Sequence, residues 1–182
     1  MLTHAPERLA ATDQGAGMSM HDLVDLAAAL AASGQPETAF VALDAALAAA
    51  IGHRLFTVLV LDEARGVNRR FYSSRPEAYP VGGEKPIRRD SELYRRVVRQ
   101  GAARFCRGRE DIVRAFPDHD LILSLGCESA VNVPVRWDGR TLGALNLLHE
   151  AGHYGEAQLP ALSVFAALAI APMLQILGEH GR

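Results

Sequence analysis

The chain has 182 residues, a formal net charge of −2 and 49% hydrophobic residues, which is the size and composition of one globular domain with a single core. Its two cysteines, Cys106 and Cys127, are too few for a disulfide framework. No uninterrupted apolar run reaches the roughly 18 to 20 residues of a membrane span, and no basic segment precedes an apolar one near the start. We therefore expect a soluble, cytoplasmic protein with two reduced, partly buried thiols.

The basic residues are concentrated in one part of the chain. Between Arg65 and Arg114 lie 14 of the 19 Lys and Arg residues, against six Asp and Glu residues, and 13 of the 14 are arginine. Such a segment forms either a solvated face whose balance lies elsewhere on the surface, or a positive rim around an anionic ligand or partner. No recognition helix, zinc finger or aromatic RNA-binding motif accompanies the charge, which disfavours nucleic acid as the partner.

Two alanine-rich helices are predicted before any strand. Residues 1–18 show no periodicity and are predicted to form a mobile tail. A helix over residues 19–34 begins with Ser19 as a cap and ends at Gly34, and a second begins at Pro36 and ends at Gly52.

Two strands and a long loop follow these helices. Residues 54–62 are nearly all apolar, as in a strand covered on both faces. Residues 67–74 alternate, which places Arg70, Tyr72 and Ser74 on one face of a second strand. Residues 75–89 contain three prolines and two adjacent glycines, and an irregular loop of this length is typically functional or mobile.

The second half of the chain is predicted to end in a hairpin and a helix. Before the hairpin we predict a helix over residues 91–100, a short strand over 102–106, and two short helices separated by Pro117. The hairpin strands, residues 129–135 and 141–149, are joined by a turn that contains Asp138-Gly139. A final helix begins near Gln158, and Pro172 is expected to kink it or end its regular part.

This order of elements predicts an α+β fold with α/β/α layers. A central antiparallel sheet of about six strands has the terminal helices on one face and the middle helices and loops over the other. Three motifs then carry a family resemblance, and they read SAVNVPV from Ser129, GALNL from Gly143 and GHY from Gly152. They resemble the closing part of a GAF domain, and the resemblance covers about residues 37–177. We accordingly divide the chain into the tail, an extra helix over residues 19–34, and a GAF-like domain over residues 36–178.

The resemblance implies where a ligand binds, without naming the ligand. In GAF domains a small molecule sits between the sheet and the middle helices and loops, a space that residues 75–89 and 106–126 would enclose here. The Asn-Lys-Phe-Asp-Glu motif of the cyclic-nucleotide type is absent, and neither cysteine precedes a histidine as in the bilin-binding type. The free methionine sulfoxide reductase type uses three cysteines, whereas this chain has two and their spacing does not match.

The predicted ligand-binding residues are polar or sulfur-containing side chains on the second strand, the long loop, the middle helices and the hairpin. They are Tyr72, Ser74, Tyr79, His119, Cys127, Asn132 and His149. Asn132 and Asn146 interrupt strands that should be buried, so each amide must be satisfied by backbone, water or ligand. The register at the hairpin turn decides which asparagine shares a face with His149, and the sequence leaves this open.

Residues 149–153 match the H-E-x-x-H pattern of zinc metalloproteases. That mechanism requires both histidines on one face of a helix, four residues apart. Here His149 ends an apolar strand and two glycines follow within six residues, so we expect no helix and no metal site. No other feature of the sequence names a cofactor.

Two functions remain open from the sequence, beside the possibility of a degenerate domain that only dimerises. The first is a homodimeric sensory module that binds a small, anionic molecule and signals to a separate partner, with the dimer formed through the first and last helices. The second is an enzyme, a thiol-dependent reductase of a small oxidised substrate that uses Cys106 or Cys127. We favour the binding module, without a catalytic residue.

Overall fold

The computed structural model of the protein describes residues 20–179, so the predicted tail and the predicted cap Ser19 lie outside the described residues. Six α-helices and six strands are present in this range. The helices are α1 (Met20–Ala31), α2 (Glu37–Ala50), α3 (Arg109–Ala115), α4 (His119–Ser124), α5 (Leu159–Leu168) and α6 (Ile170–Glu179). The strands are β1 (Leu55–Asp62), β2 (Val67–Ser73), β3 (Gly82–Pro86), β4 (Arg104–Cys106), β5 (Ser129–Trp137) and β6 (Arg140–His149).

The six strands form one antiparallel sheet in the order β3-β2-β1-β6-β5-β4, which confirms the predicted fold class. The β5–β6 hairpin turns through Asp138 and Gly139, both with positive φ, as a two-residue turn of this kind requires. β6 lies between β5 and β1, and every residue from Thr141 to Leu148 is buried. A covered central strand of this kind explains why the sequence of β6 is largely apolar.

One face of the sheet, which we call the helix face, packs against the terminal helices. Phe56 and Val58 of β1 lie opposite Leu147 and Leu145 of β6 in a large core that also contains Phe40 of α2. α1 packs on α2 and buries Leu26. The terminal helices therefore cover the sheet as predicted.

The last helix is broken as Pro172 predicts. α5 ends at Leu168 and α6 begins at Ile170. The break follows from Pro172, because proline has no backbone N–H to donate and its ring clashes with the preceding turn. Together Glu156–Gly178 are long and apolar enough to cross a membrane by length and composition, which corrects the expectation that no stretch reaches that length. Their buried side chains, among them Phe165 and Met173, pack on the sheet, so this stretch belongs to the folded core.

The opposite face of the sheet, which we call the cavity face, is covered by the middle of the chain. A helix in the wider π form, Tyr94–Arg99, and the short helices α3 and α4 lie over it. Residues 75–89 are not irregular throughout, since they contain β3, which pairs with β2 along the sheet edge. All five residues of β3 are exposed, and Gly82 and Gly83 both have positive φ where the register shifts.

Candidate functional site

A cavity of about 410 Å³ lies between the cavity face and the middle segment. This volume lies within the range of sites for small molecules. Most of its wall is apolar, and that part includes Leu59, Leu61, Ile87, Leu93, Val97 and Phe116. Its polar groups come mainly from the sheet and the segment above it, and they include Thr57, Arg70, Tyr79, Arg104, Asp118 and Asn146.

A row of polar side chains crosses the floor of the cavity over four adjacent strands. Arg104 pairs directly with Asn132, Asn132 with Asn146, and Asn146 with Thr57, so the four side chains share one face. The Nε of Arg104 donates to Oδ1 of Asn132 at 2.8 Å, and Nδ2 of Asn132 donates to Oδ1 of Asn146 at 2.7 Å. Nδ2 of Asn146 then donates to Oγ1 of Thr57 at 3.3 Å.

The direction of these hydrogen bonds is fixed by Arg104. A guanidinium can only donate, so the carbonyl oxygen of Asn132 must face it, and each amide is oriented in turn. All four side chains are buried, and the hydrogen bonds along the row satisfy both amides, as polar groups in an apolar floor require. Thr57, which accepts from Asn146 at the end of the row, also lines the cavity.

Arg104 is the buried charge of the site. Its side chain lies under the middle segment with the guanidinium carbon 5.2 Å from the ring centre of Phe116. Burial lowers the pKa of Arg104 below its ordinary value, and the neighbouring Cys106 and Glu92 act in the opposite direction. The pKa of an arginine is so high that the side chain stays protonated in spite of this shift.

A second arginine closes the cavity from the other side. The guanidinium of Arg70 stacks on the ring of Tyr79, 3.6 Å from its centre, and donates to the carbonyl of Pro80 at 2.7 Å. The hydroxyl of Tyr79 donates to Asp118 at 2.6 Å, and Arg70 lies 3.7 Å from the same carboxylate. Burial and this hydrogen bond raise the pKa of Tyr79, so the hydroxyl stays a donor. These contacts join the loop before β3 to the start of α4.

The π-helix above the cavity is anchored at both ends. Ser91 caps it, since its hydroxyl accepts from the backbone N–H of Tyr94 at 3.1 Å. The hydroxyl of Thr141 in β6 donates to the carbonyl of Val98 at 3.0 Å. This carbonyl lies at the end of the helix, where backbone carbonyls have no partner within the helix. π-turns are frequent at functional sites, and here the turn presents Val97 to the cavity.

The structure brings two of the seven predicted site residues to the cavity. Tyr79 lines it, and Asn132 forms the second position of the polar row beneath it. Cys127 is fully buried in a smaller core below the cavity, together with Leu55 and Ile122. His119 lies beside the cavity-lining Asp118, and its Nδ1 is 2.9 Å from the carbonyl of Phe116.

Two of the other predicted residues face the helix side. The expectation for Tyr72 is wrong because a bulge in β2 shifts the alternation, so that Phe71 and Tyr72 both pack toward Phe40. The hydroxyl of Tyr72 donates to Asp44 of α2 at 2.7 Å. The expectation for His149 is also wrong, because it lies three residues after Asn146 and so on the other face.

Ser74 lies beyond the end of β2, and it does not line the cavity. Its hydroxyl accepts from the backbone N–H of Phe56 at 2.9 Å, and its own N–H donates to the carbonyl of the same residue at 2.9 Å. It therefore extends the pairing of β1 and β2 by one position.

The H-E-x-x-H stretch forms a strand end and a turn, as the glycines predicted. The rings of His149 and His153 stack with their centres 3.8 Å apart. Nδ1 of His149 accepts from the N–H of Glu150, and Nε2 of His153 lies 2.9 Å from the carbonyl of Ile51. Among residues 20–179, no group of three His, Cys, Asp or Glu side chains is placed to hold a metal ion.

The environment of the two thiols opposes the chemistry of a reductase. Cys106 is 3% exposed and Cys127 is fully buried, and both are free. Burial raises the pKa of each thiol, and the neighbouring arginines only partly offset this. A reactive cysteine needs a lowered pKa and access to solvent.

The sequence interpretation missed Arg104, Arg70, Asp118 and Thr57. Arg104 is one of 13 arginines in its segment, and nothing local distinguishes it from the exposed ones. The available signal was pairing, because a short strand over residues 104–106 beside β5 places Arg104 opposite Asn132.

The fold is that of an α/β/α domain whose middle segment covers a cavity on one face of an antiparallel sheet. A family model described as the GAF domain matches residues 20–171, and the chain therefore belongs to the GAF domain family. The match includes α1, which the sequence interpretation had placed outside the resemblance.

Solved structures of other GAF-type proteins share this fold. The GAF domain of a phosphoenolpyruvate-protein phosphotransferase from Acinetobacter has a TM-score of 0.69 at 16% identity, over 90% of this chain and 97% of that one. The GAF domain of a two-component sensor histidine kinase from Bacillus halodurans has a TM-score of 0.61 at 13% identity, over 91% of this chain and 100% of that one. Free methionine-R-sulfoxide reductase from Neisseria meningitidis, in complex with its substrate, has a TM-score of 0.62 at 18% identity, over 91% of this chain and 93% of that one. At these identities the likeness shows the fold alone. A comparison with curated protein sequences gives no significant match.

Proposed function

We propose that this protein is a sensory or regulatory module that binds a small molecule in the cavity and passes the signal to a separate partner. The cavity between the sheet and the middle segment carries this proposal. It combines a mostly apolar wall with a few oriented polar groups, which is the composition of small-molecule sites in general. Its membership of the GAF domain family supports the same function, because GAF domains are typically sensory domains of signalling proteins.

The middle segment gives a physical route from the cavity to the rest of the domain. The π-helix is held to β6 by Thr141, and the loop before β3 is held to α4 by Asp118. A ligand that contacts these elements changes the balance between bound and open positions of the cover. The expected result is a ligand-dependent change in protection of the covering segment.

Ligand screening with a variant that fills the cavity tests this proposal. Ala144 is buried on the floor of the cavity, so Ala144→Leu projects new atoms into it. Ala157, which is exposed on a short turn, provides the matched control Ala157→Leu. We expect compounds from a metabolite panel to raise the melting temperature of the wild type and of the control. A ligand at a hundred times its dissociation constant adds about 2.7 kcal/mol.

The same compounds should have little effect on Ala144→Leu. If the shifts persist in Ala144→Leu, the ligand binds elsewhere and the cavity is not the site. Hydrogen exchange should show that a bound ligand protects residues 91–100 more than helix α1, which does not line the cavity. Equal protection of both segments would argue against the proposed route.

We also propose a homodimer formed through the first helix. α1 exposes Met20 at 75% and Val24 at 57%, four residues apart on one side of the helix. The adjacent helix α2 exposes Val41 at 57%, and no charged residue is exposed between Val41 and Ala50. Exposed apolar surface of this kind favours a two-fold contact between copies.

A further inference from the structure

Arg104 is a buried cation without a close counter-ion. It is 3% exposed, and the closest carboxylate oxygen within residues 20–179 belongs to Glu92, 4.0 Å from Nη1. The Glu92 side chain is itself 61% exposed, so water screens that interaction. Cys106 lies on the same face two residues further along, but its thiol is neutral because burial raises its pKa. A charge in this position is unfavourable unless an anion joins it.

The polar row determines which atoms of Arg104 are left to meet that anion. Nε is used by the carbonyl oxygen of Asn132, and Asn132 is a neutral partner. The two Nη groups remain at the end of the guanidinium, beside the cavity that Arg104 lines. Two parallel N–H donors on one planar group match the two oxygens of a carboxylate.

The remainder of the cavity favours an apolar body attached to one anionic group. Asp118 is the one acidic residue in the wall among the residues described, and Arg70 and Tyr79 already engage it. Much of the rest of the wall consists of aliphatic side chains such as Leu61, Ile87 and Leu93. Any further charge on a part of the ligand that packs against these side chains would be buried without a partner.

We propose that the cavity binds a monocarboxylate with an apolar body, whose carboxylate is held by the Nη groups of Arg104. The proposal rests on the proposed function, since it names the ligand class of the same cavity. Exposed Lys85 and Arg88 at the cavity mouth add a positive field that attracts the anion before it enters. Arg104 is then the residue that determines specificity for acids over neutral molecules.

The substitution Arg104→Gln isolates the two Nη groups. Glutamine places its Nε2 at the position of the arginine Nε, so the hydrogen bond to Asn132 can be kept while the charge is removed. Arg104→Lys keeps the charge and loses the paired donors. Arg99→Gln is the matched control, because Arg99 is exposed and does not line the cavity.

The ligands are compared as pairs with one apolar body each. We choose hexanoate, octanoate and 3-phenylpropionate, each beside its primary amide, and sodium sulfate as an anion without an apolar body. Calorimetry should show each acid binding the wild type and Arg99→Gln at least about tenfold more tightly than its amide. In Arg104→Gln the preference should fall below about threefold, with Arg104→Lys between the two, and sulfate should bind weakly to all four proteins.

Each other result overturns the inference. If acid and amide bind the wild type equally, or the acid preference persists in Arg104→Gln, then Arg104 does not hold the ligand. If the amides or other neutral compounds bind and Ala144→Leu abolishes that binding, the cavity is a site but the ligand class is wrong. If no compound of the pairs or of the metabolite panel binds, the proposed function falls as well.

The unfolding of the ligand-free variant separates this role from a structural one. Arg104→Gln should unfold at the same or a higher temperature than the wild type, because an unpaired buried charge has been removed. A melting temperature several degrees lower would indicate that Arg104 is there for stability and would contradict the proposal.

Discussion

Asn132 and Asn146 lie directly opposite each other on β5 and β6, and Nδ2 of Asn132 donates to Oδ1 of Asn146 at 2.7 Å. This contact links the two hairpin strands at the floor of the cavity. Because Arg104 can only donate to Asn132, the orientation of both amides follows from one arginine on the edge strand β4. The polar floor is therefore a single connected unit, and a change at one position is felt along the row.

A carboxylate at position 132 of the polar row should take the place of the ligand carboxylate beside Arg104. Asn132→Asp places a negative charge against Nε of Arg104, and the amide of Asn146 can turn to donate to it. We expect the free energy of unfolding at pH 7 to rise by about 1 kcal/mol, the difference between a charged and a neutral hydrogen bond. Affinity for monocarboxylates should fall at least about tenfold, because the guanidinium charge is already neutralised.

Asn68→Asp is the control for this substitution. Asn68 also lines the cavity but lies on β2. Asn68→Asp therefore adds the same charge to the cavity, away from Arg104. Chemical denaturation and calorimetry of both variants give the comparison. Unchanged carboxylate affinity in Asn132→Asp would contradict the assignment of Arg104 as the anchor.

The two cysteines should react slowly in the folded protein. Both thiols are buried, and burial raises the pKa of each. We expect a chromogenic disulfide reagent at pH 8 to modify Cys106 and Cys127 orders of magnitude more slowly than it does in denaturant. Cys106→Ser and Cys127→Ser assign the two reactions. A thiol that reacts in the folded protein at the rate of free cysteine would revive the reductase alternative.

The stacked histidines should make stability depend on pH. Burial, then His153 and Arg54, lower the pKa of His149 below its ordinary value. Protonation therefore favours the unfolded chain. The stabilising contribution is complete above the unfolded pKa of about 6.5, and it is lost as the pH falls through the lower folded pKa.

His149→Asn removes this titration and keeps an acceptor for the N–H of Glu150. Urea unfolding between pH 8 and pH 5 should show a smaller loss of stability in this variant than in the wild type. His21→Asn, on the exposed side of α1, should behave as the wild type does. Equal slopes for His149→Asn and the wild type would show that the stacked pair does not carry the pH dependence.

A charge on the exposed side of α1 should separate the proposed dimer. Val24→Glu places a carboxylate in the apolar contact that we propose, and burial of such a charge is costly. Sedimentation at micromolar concentration should show a dimer for the wild type and a monomer for Val24→Glu. Val113→Glu, the same substitution at an exposed position on α3, should leave the dimer intact. A wild-type monomer under these conditions would exclude the dimer.

The elements that local chemistry determines could be predicted from the sequence. The hairpin follows from Asp138-Gly139, and the break between α5 and α6 follows from Pro172. The covered strand β1 follows from its nearly all-apolar sequence. These predictions need only neighbouring residues, because turn geometry, the missing proline donor and burial act within a few positions.

The site could be predicted only in part because it depends on register. The bulge in β2 turns Tyr72 to the helix face, and no residue in the sequence marks that bulge. Arg104 is the clearest case, since its role arises from its pairing with Asn132, 28 residues away. The sequence could identify Asn132 as a buried polar residue, but it could not identify the cation that Asn132 orients.

Nitrogen NMR of the arginine side chains tests the central claim most directly. The Nε–Hε signal of Arg104 is assigned from the spectrum of Arg104→Gln, and spectra are recorded as octanoate is added to the wild type. We predict a saturable shift of the Arg104 signal with no change in the signal of the exposed Arg99. A saturable shift of cavity-lining backbone amides without a shift at Arg104, or no saturable shift anywhere, would contradict the account.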